Sequence, residues 1–568
     1  MTATPWGFRD ILPEEAQARE EIALTVKGCF REHHYLPVET PLLEDKGSLE
    51  EGGRIADTPF KLFDDDGRLL VVRPDNTLPI VRLVSTRMRA ADLPLRLRYE
   101  APVVRECQRN AGGSRQFTQL GFELIGAGDT AGDVEIVSLV AEAVRKLALP
   151  AARIIAGSVR PFKELLAACE DRELAAEALR CVHANDFVGL DARVAASAES
   201  DAVKVAISEL PRLHGGAEVL DRVDALLAAA GIVAPLTREL RALVEGLAPE
   251  DAQVLSFDFS IMNSFDYYTG LVFKAYAGGL PDPVGSGGRY DSIFTGAFGD
   301  GIEVPAAGFA FSLERLEAAH TSAEDAASDG DHAAGRGAEG PLRIAVPKGS
   351  LNPDSIACLA ACGLDTTGLA DPGRQLIIRN PGVEYIIVRP SDAPVFVELG
   401  AADCGICGED SLLEAATGTV ELVDLKFGAC RFIVAEPEGA NERVAEHYRT
   451  CGSIRVATKY PCITESYYAR KGEQVEIVKL HGNIELGPLT GLSERIVDIT
   501  ATGRTLRENN LVIVDEVLSS TARFFANPCA FRTDPRVVEL ADKLRAGAEA
   551  GLWDATVIAG SDQPSASA

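Results

Sequence analysis

Between Thr321 and Gly340 the chain reads TSAEDAASDGDHAAGRGAEG, a stretch with almost nothing large and apolar. Such a segment cannot bury enough surface to offset the entropy of ordering itself, so residues 321–340 are read as a flexible linker. Whatever lies on either side must therefore close its own core. At 568 residues the chain is in any case too long for one hydrophobic core, and its length suits three or four domains. With 46% hydrophobic and 25% charged residues, both flanks have globular composition. The reading is one body over residues 1–320, a second over residues 341–550, and a disordered polar tail over residues 551–568 that ends in GSDQPSASA.

Charge and cysteine usage remove several classes of function. The formal charge is −29, which opposes a nucleic-acid partner, because phosphate backbones are gripped by Lys and Arg. The opening MTATPWGFRDILPEE has no apolar run of signal-peptide length, and no stretch approaches the roughly twenty apolar residues that span a bilayer. A cytoplasmic location and no membrane partner are expected. The cysteines are then expected to be reduced, and Cys404 and Cys407, in ADCGICGED, are read as packing residues rather than a metal or redox pair. The histidines form no cluster of ligand spacing, which disfavours zinc.

The two flanks differ in pattern. Before the linker, a helical pattern over residues 14–34 leads into LPVETPLLE, and strand signals recur at RLLVVRP, LRLRYEAPVVRE, QFTQLGFELIG and LVFKAYAG. This predicts an α+β domain with an antiparallel sheet. Residues 150–250, rich in Ala and Leu, predict a helical insertion. After the linker, short apolar runs alternate with helical ones, as in LRIAVPKG, SLNPDSIACLAACG, QLIIR and VEYIIVRP, which predicts α/β units on largely parallel sheets. A second lobe is read over about residues 430–514, after which the chain returns to the first lobe for a last helix, DPRVVELADKLRAGAEAG. Ligands of two-lobed α/β folds bind at strand ends or between lobes.

The segment ERIVDITATGRTLRENNLVIVDEVL carries the most chemistry. A strand ending in Asp498 runs into a turn at Thr502 and Gly503, then a short helix from Thr505. Backbone N–H groups of such a turn can cradle a phosphate, and the acid just before it can accept hydrogen bonds from ribose hydroxyls. Taken alone, the segment reads equally well as an ordinary turn.

The segment resembles the phosphoribosyl pyrophosphate loop of ATP phosphoribosyltransferases, and the likeness runs over about residues 341–545. LRIAVPKGSL, GRQL, ADCGICGED, KFGACRFIV, ATKYPCITESYYA and VKLHGNIELGPLTGLSERIVDI follow in that family's order. With no added domain after the lobes, the match is to the short form, which relies on a regulatory partner. The resemblance implies a two-lobed, periplasmic-binding-protein-like fold, with ATP and phosphoribosyl pyrophosphate as substrates. It also implies that Ala501, Thr502, Gly503, Arg504 and Thr505 hold the 5-phosphate, with Thr500 a further substrate-binding residue, and that Glu485 and Asp498 serve the ribose hydroxyls and Mg²⁺. Lys348, Gly349, Ser350 and Arg374 would lie near the pyrophosphate or ATP phosphates. Three positions depart from the family pattern: Ser350 stands where relatives often have Arg, Glu409 where many have Lys or Arg, and Ala501 where a polar or acidic residue is usual.

Residues 5–317 resemble class II histidyl-tRNA synthetases through three ordered motifs: the first helix with VETPLLE and Pro41, LRYEAPVVRECQ with Arg105, and AAGFAFSLERL with Arg315. The resemblance implies a histidine pocket of Asp75, Arg105, Gln119, Glu123, Tyr267 and Tyr268. The tyrosine pair on its own reads equally as core packing. Asn263 stands where synthetases have an Arg, and the linker follows Leu316 where an anticodon-binding domain would stand. Both points favour a regulatory subunit that senses histidine over an active synthetase. A histidine-binding scaffold with a decayed transferase half is the other alternative. Both halves then point to the first step of histidine biosynthesis, with histidine as feedback inhibitor and a homo-oligomer as the assembly.

Overall fold

The computed structural model describes residues 4–50, 60–88, 92–106, 114–128, 130–261, 268–294, 304–328, 340–500 and 503–553. It divides into two compact units, Met1–Gly340 with Arg532–Asp534, and Pro341–Phe531 with Pro535–Ala568.

The first unit is built on a nine-stranded sheet. Its strands are β1 (Leu36–Pro37), β5 (Leu95–Val104), β6 (Gln116–Ile125), β7 (Arg153–Ser158), β8 (His214–Gly215), β9 (Leu255–Asp258), β10 (Leu271–Tyr276), β11 (Gly285–Arg289) and β12 (Ala306–Ser312), in the spatial order β1-β5-β6-β12-β11-β10-β7-β9-β8. A small sheet of β2 (Leu43–Asp45), β3 (Lys61–Phe63) and β4 (Leu69–Val72) stands beside it. The expected antiparallel sheet is in fact mixed, because β1 pairs with β5 and β7 with β9 in parallel. A parallel pair needs a long crossover connection. Between β7 and β9 the helical insertion supplies it, with six helices from Arg160–Ala168 to Arg238–Gly246.

The two faces of this sheet differ in kind. On one, Phe122, Phe309 and Phe273 stack across β6, β12 and β10, with centroids 6.5 and 4.9 Å apart, and Phe30 of the helix Pro13–Glu32 packs on Phe122 at 5.1 Å. This face, with the helix Thr130–Lys146 and the insertion, makes the large core. On the other face the cross-strand row reads Leu97, Glu123, Gly308, Gly288, Val272 and Gly157. Glycine there leaves the backbone bare, and a bare sheet face is where a ligand can approach closely.

The helix Leu313–Ser328 continues eight residues into the segment read as linker from residue 321. Its composition is poor in bulk but rich in Ala, which costs a helix nothing. Residues 329–339 lie outside the described residues.

The second unit holds two mixed sheets rather than largely parallel ones. One contains β13 (Leu342–Pro347), β14 (Ile377–Asn380), β15 (Val383–Val388), β16 (Cys404–Gly408), β17 (Val420–Asp424) and β23 (Ala522–Ala526), in the order β14-β15-β13-β16-β23-β17. The other contains β18 (Cys430–Pro437), β19 (Ile454–Thr458), β20 (Val475–Lys479), β21 (Arg495–Thr500) and β22 (Leu511–Ser520), in the order β20-β19-β21-β18-β22. Strands β13, β15 and β16 run parallel, as do β19, β20 and β21. Antiparallel strands enter because the chain crosses to the second sheet after β17 and returns through β22 into β23, so each crossing strand runs against its neighbours. The last helix, Pro535–Glu549, packs back toward the first of these sheets beside β17.

Residues 551–553 were assigned to the disordered tail on composition, and the structure corrects this. Trp553 is buried, its indole N–H donates to the carbonyl of Leu425 at 2.8 Å, and its ring lies so close to Gly547 that an added Cβ would sit 2.3 Å away. Trp553→Phe, which leaves that carbonyl unpaired, is expected to lower the stability of this unit by about 1–2 kcal/mol in denaturant titration. Residues 554–568 lie outside the described residues.

Candidate functional site

In the second unit, Asp498 is the fourth residue of β21, flanked by β18 and β19. The apolar neighbours Ile496 and Val497 bury the strand, and Asp498 is half-buried where it emerges. One carboxylate oxygen accepts the N–H of Ile499 at 2.8 Å. Burial pushes the carboxyl up to about 6, against that hydrogen bond, with the charge of Glu485 adding to the rise and Lys459 opposing it. Thr500 follows, buried, and its hydroxyl accepts the N–H of Gly503 at 2.8 Å, which closes the turn. Gly503 has φ 66°, a left-handed conformation in which an L side chain is strained, so glycine is required there. The helix Arg504–Glu508 starts immediately after. Arg504 is exposed and paired with Glu508 at 2.8 Å, and Thr505 is exposed. Ala501 and Thr502 lie outside the described residues.

Glu485 immediately precedes the short helix Leu486–Leu489 and is electrostatically coupled to Asp498, so these two acids, Thr500 and Gly503 form one group. Lys348, Gly349 (φ 85°) and Ser350 stand at the end of β13, and Arg374 precedes β14, all in the other sheet. Among the described residues no hydrogen bond or ion pair joins their side chains to Asp498 or Glu485. Sequence reading missed three residues here. Asp410 is the second residue of the helix Glu409–Ala415, and Lys459 and Tyr460 follow β19, yet Asp410 and Asp498 both act on Tyr460, and Lys459 acts on both acids. The signal available was their position at strand ends. No group of three or more His, Cys, Asp or Glu that could hold a metal occurs among the described residues. A pair of carboxylates still fits Mg²⁺, which binds through one or two acids and completes its shell with water and substrate phosphates.

Three flagged positions, Glu409, Cys404 and Cys407, gain a structural account. Glu409 pairs with Arg523 at 2.9 Å, and the same guanidinium meets Glu421 and Asp424, each at 2.7 Å, with its side chain 9% exposed. Cys404 and Cys407 lie three apart on β16, so they point to opposite faces, and both are buried. Burial raises the Cys407 thiol well above its usual range, with Asp410 and Glu421 adding to the effect, which suits an inert packing residue.

In the first unit, the glycine-lined face carries a polar cluster. Glu123, 1% exposed, accepts hydrogen bonds from the hydroxyls of Thr77 at 2.9 Å and Tyr99 at 3.3 Å, and a very short one from Tyr290. Gln119, four residues away along β6 and on the same face, accepts from the side-chain amide of Asn76 at 2.7 Å. Asp75 accepts the N–H of Thr77 at 2.6 Å and meets Arg105 at 3.5 Å, while Arg105 also donates to the carbonyl of Pro74 at 2.7 Å. Tyr268 is buried against Gly288, where a Cβ would lie 2.6 Å from its ring. At Gly308 a Cβ would fall 1.7 Å from the Glu123 carboxylate, and at Gly121 it would lie 2.3 Å from the Tyr99 ring. Asp75, Arg105, Gln119, Glu123 and Tyr268 thus belong to one neighbourhood. Tyr267 lies outside the described residues, as does Asn263. Sequence reading missed Asn76, Thr77, Tyr99 and Tyr290, which strand register alone brings together.

Burial pushes Glu123 up to about 8 from an ordinary 4.5, with Asp75 adding to the rise against the three hydroxyl donors. Between those values the unfolded chain has lost a proton that the folded unit keeps. Stability is therefore full below about 4.5, falls as pH climbs toward about 8, and is flat beyond, a loss on the order of 5 kcal/mol. Thermal melts from pH 5 to 8 should show this slope, and Glu123→Gln should flatten it.

Comparison with known proteins matches these two neighbourhoods to two families. Residues 7–316 match the family model for histidyl-tRNA synthetase, and residues 389–546 match that for ATP phosphoribosyltransferase. The ATP phosphoribosyltransferase of Rubrobacter xylanophilus is 50% identical over 191 residues, 34% of this chain and 88% of that protein. That of Moorella thermoacetica is 49% identical over 199 residues, 34% of this chain and 87% of that protein. A crystal structure described as an ATP phosphoribosyltransferase regulatory subunit/histidyl-tRNA synthetase from Bacillus halodurans C aligns with TM-score 0.52 and 26% identity, covering 68% of this chain and 99% of that one. The chain belongs to the histidyl-tRNA synthetase family through its first half and to the ATP phosphoribosyltransferase family through its second, joined in one polypeptide.

Proposed function

We infer that this protein is an ATP phosphoribosyltransferase that carries its own regulatory half. The observation that carries the reading is the acid at the end of β21, followed by the turn that Thr500 and Gly503 close, since a ribose 5-phosphate needs those two features side by side. N1 of adenine attacks C1 of the ribose, the C1–O bond breaks with its electron pair leaving on pyrophosphate, and the adenine amino group releases a proton. The transition state carries oxocarbenium character, so no protein nucleophile is required. Asp498 accepts hydrogen bonds from the ribose hydroxyls and stabilises positive charge beside it, and Glu485 shares that duty. The loop from Thr500 to Thr505 holds the 5-phosphate through backbone N–H groups. Glu485 and Asp498 would hold Mg²⁺, which when bound would supply neutralisation of charge on the leaving group. Lys348, Gly349, Ser350 and Arg374 face the polyphosphates from the other sheet. The two sheets of this unit act as lobes of a periplasmic-binding-protein-like fold whose closure excludes water.

In the first half, the pocket of Asp75, Arg105, Gln119, Glu123, Tyr267 and Tyr268 takes histidine. The acids meet the α-amino group and imidazole, and the tyrosines flank the ring. Histidine binding there lowers turnover in the other half, a coupling that must be reciprocal with substrate binding. The working form is a homo-oligomer in the cytoplasm. No described helix is long and apolar enough to cross a membrane. The test is to follow the ultraviolet absorbance of N1-ribosylated ATP after mixing the full chain with ATP, phosphoribosyl pyrophosphate and Mg²⁺, with and without histidine. Turnover that histidine suppresses supports both halves of the reading. Absence of turnover under all conditions would leave only a histidine-binding scaffold.

A further inference from the structure

The family likeness leaves the leaving group short of protein cations. Ser350 stands where an Arg is frequent, and the remaining basic candidates, Lys348 and Arg374, are exposed side chains of the sheet that does not hold Asp498. Lys459 lies differently. Strands β19 and β21 are parallel neighbours with Thr458 opposite Val497, so Lys459 leaves β19 level with Asp498. Three features fix what it can reach. Its ammonium stands over the Tyr460 ring, 5.6 Å from the ring centroid, and Tyr460 is itself held edge-on by Phe432 at 4.8 Å. Its charge acts on Asp498 and also on Asp410, whose carboxylate accepts the hydroxyl of Ser520 at 3.0 Å. The side chain is exposed, and no hydrogen bond or ion pair within the described residues holds its ammonium. It is a flexible cation at a strand end, beside the acid that the transferase reading assigns to the ribose hydroxyls.

Resting on the transferase reading above, we propose that Lys459 grips the departing pyrophosphate, with its ammonium standing near Asp410 and Asp498 until the substrate arrives. As the C1–O bond breaks, the electron pair moves onto the pyrophosphate oxygen, and Lys459 donates hydrogen bonds to that oxygen without giving up its proton. An ammonium is a strong point-charge ligand for phosphate, so a shorter or neutral side chain cannot replace it.

The experiment uses the full chain and three forms: wild type, Lys459→Met and Lys459→Arg. Inorganic pyrophosphate with Mg²⁺ is titrated calorimetrically, and steady-state turnover is measured across pH. Lys459→Met should weaken pyrophosphate binding about tenfold or more and lower kcat/KM for phosphoribosyl pyrophosphate about 100-fold, with Lys459→Arg recovering part of both. Unchanged pyrophosphate affinity together with unchanged kcat/KM in Lys459→Met would overturn the assignment. A wild-type chain that binds pyrophosphate through Lys459 yet turns over nothing would sustain this site and defeat the transferase reading instead.

Discussion

Asp498→Asn is expected to lower kcat/KM by about 100- to 1,000-fold, the effect typical of removing one preorganised electrostatic group from an active site. The substitution keeps size and the ability to accept one hydrogen bond, but it removes the charge that stabilises the forming cation. The side chain is half-buried and joins no ion pair among the described residues, so the fold should survive and the loss should fall on chemistry. A pH profile separates this from simple misfolding. With the carboxyl pushed up to about 6, the ionised form is lost as pH falls through that value, so wild-type kcat/KM, which reports the free enzyme, should drop below about pH 6. In Asp498→Asn that limb should vanish, leaving a low, flat profile. Retention of wild-type kcat/KM would remove Asp498 from the site.

Arg523→Ala should be the most damaging substitution for stability, about 4 kcal/mol by denaturant unfolding at pH 7. Arg523 lies on β23 and is nearly enclosed, and removing it leaves Glu409, Glu421 and Asp424 facing one another with no cation between them. Mutual repulsion, added to the cost of burying unpaired charge, exceeds what the ion pairs contributed when formed. The carboxylates can escape by taking up protons, so the deficit should shrink between pH 7 and pH 5. A double variant, Arg523→Met with Glu409→Gln, should recover part of the loss, and the pair should be strongly non-additive. A deficit that does not vary with pH would point to lost packing rather than charge.

These two sites show what the sequence reveals and what it hides. Asp498, Thr500 and Gly503 lie within six residues, so strand, turn and helix start were legible from local pattern alone. Glu409 looked like a departure from a basic position because its partner, Arg523, stands more than a hundred residues away, and only the pairing of β16 with β23 joins them. Tyr99 and Tyr290 were invisible for the same reason. Periodicity says which face a residue takes, but not which strand lies beside it. The parallel pairs in the first sheet were missed because alternation looks alike in both strand directions, and direction is set by how the chain crosses over. The helix extending to Ser328 and the buried Trp553 were misread because composition averages over a window, whereas one indole with a cleft to fill decides order locally.

The path of the chain through the second unit has a practical consequence. The five-stranded sheet is entered after β17 and left at β23, and the two crossings are stitched together: Ala522 donates to the carbonyl of Phe427 at 2.9 Å, and Cys430 pairs with Ser520. The segment from about residue 428 to residue 521 is therefore a cassette whose ends meet. Such a cassette can be cut out and replaced by a short tether, or the chain can be circularly permuted within it, without threading any strand through another. It also predicts the order of loss under stress. Amide protons of β19 and β21 should exchange together as one cooperative block, distinct from those of β13 and β16, because a module whose two chain ends meet can open without unravelling its host.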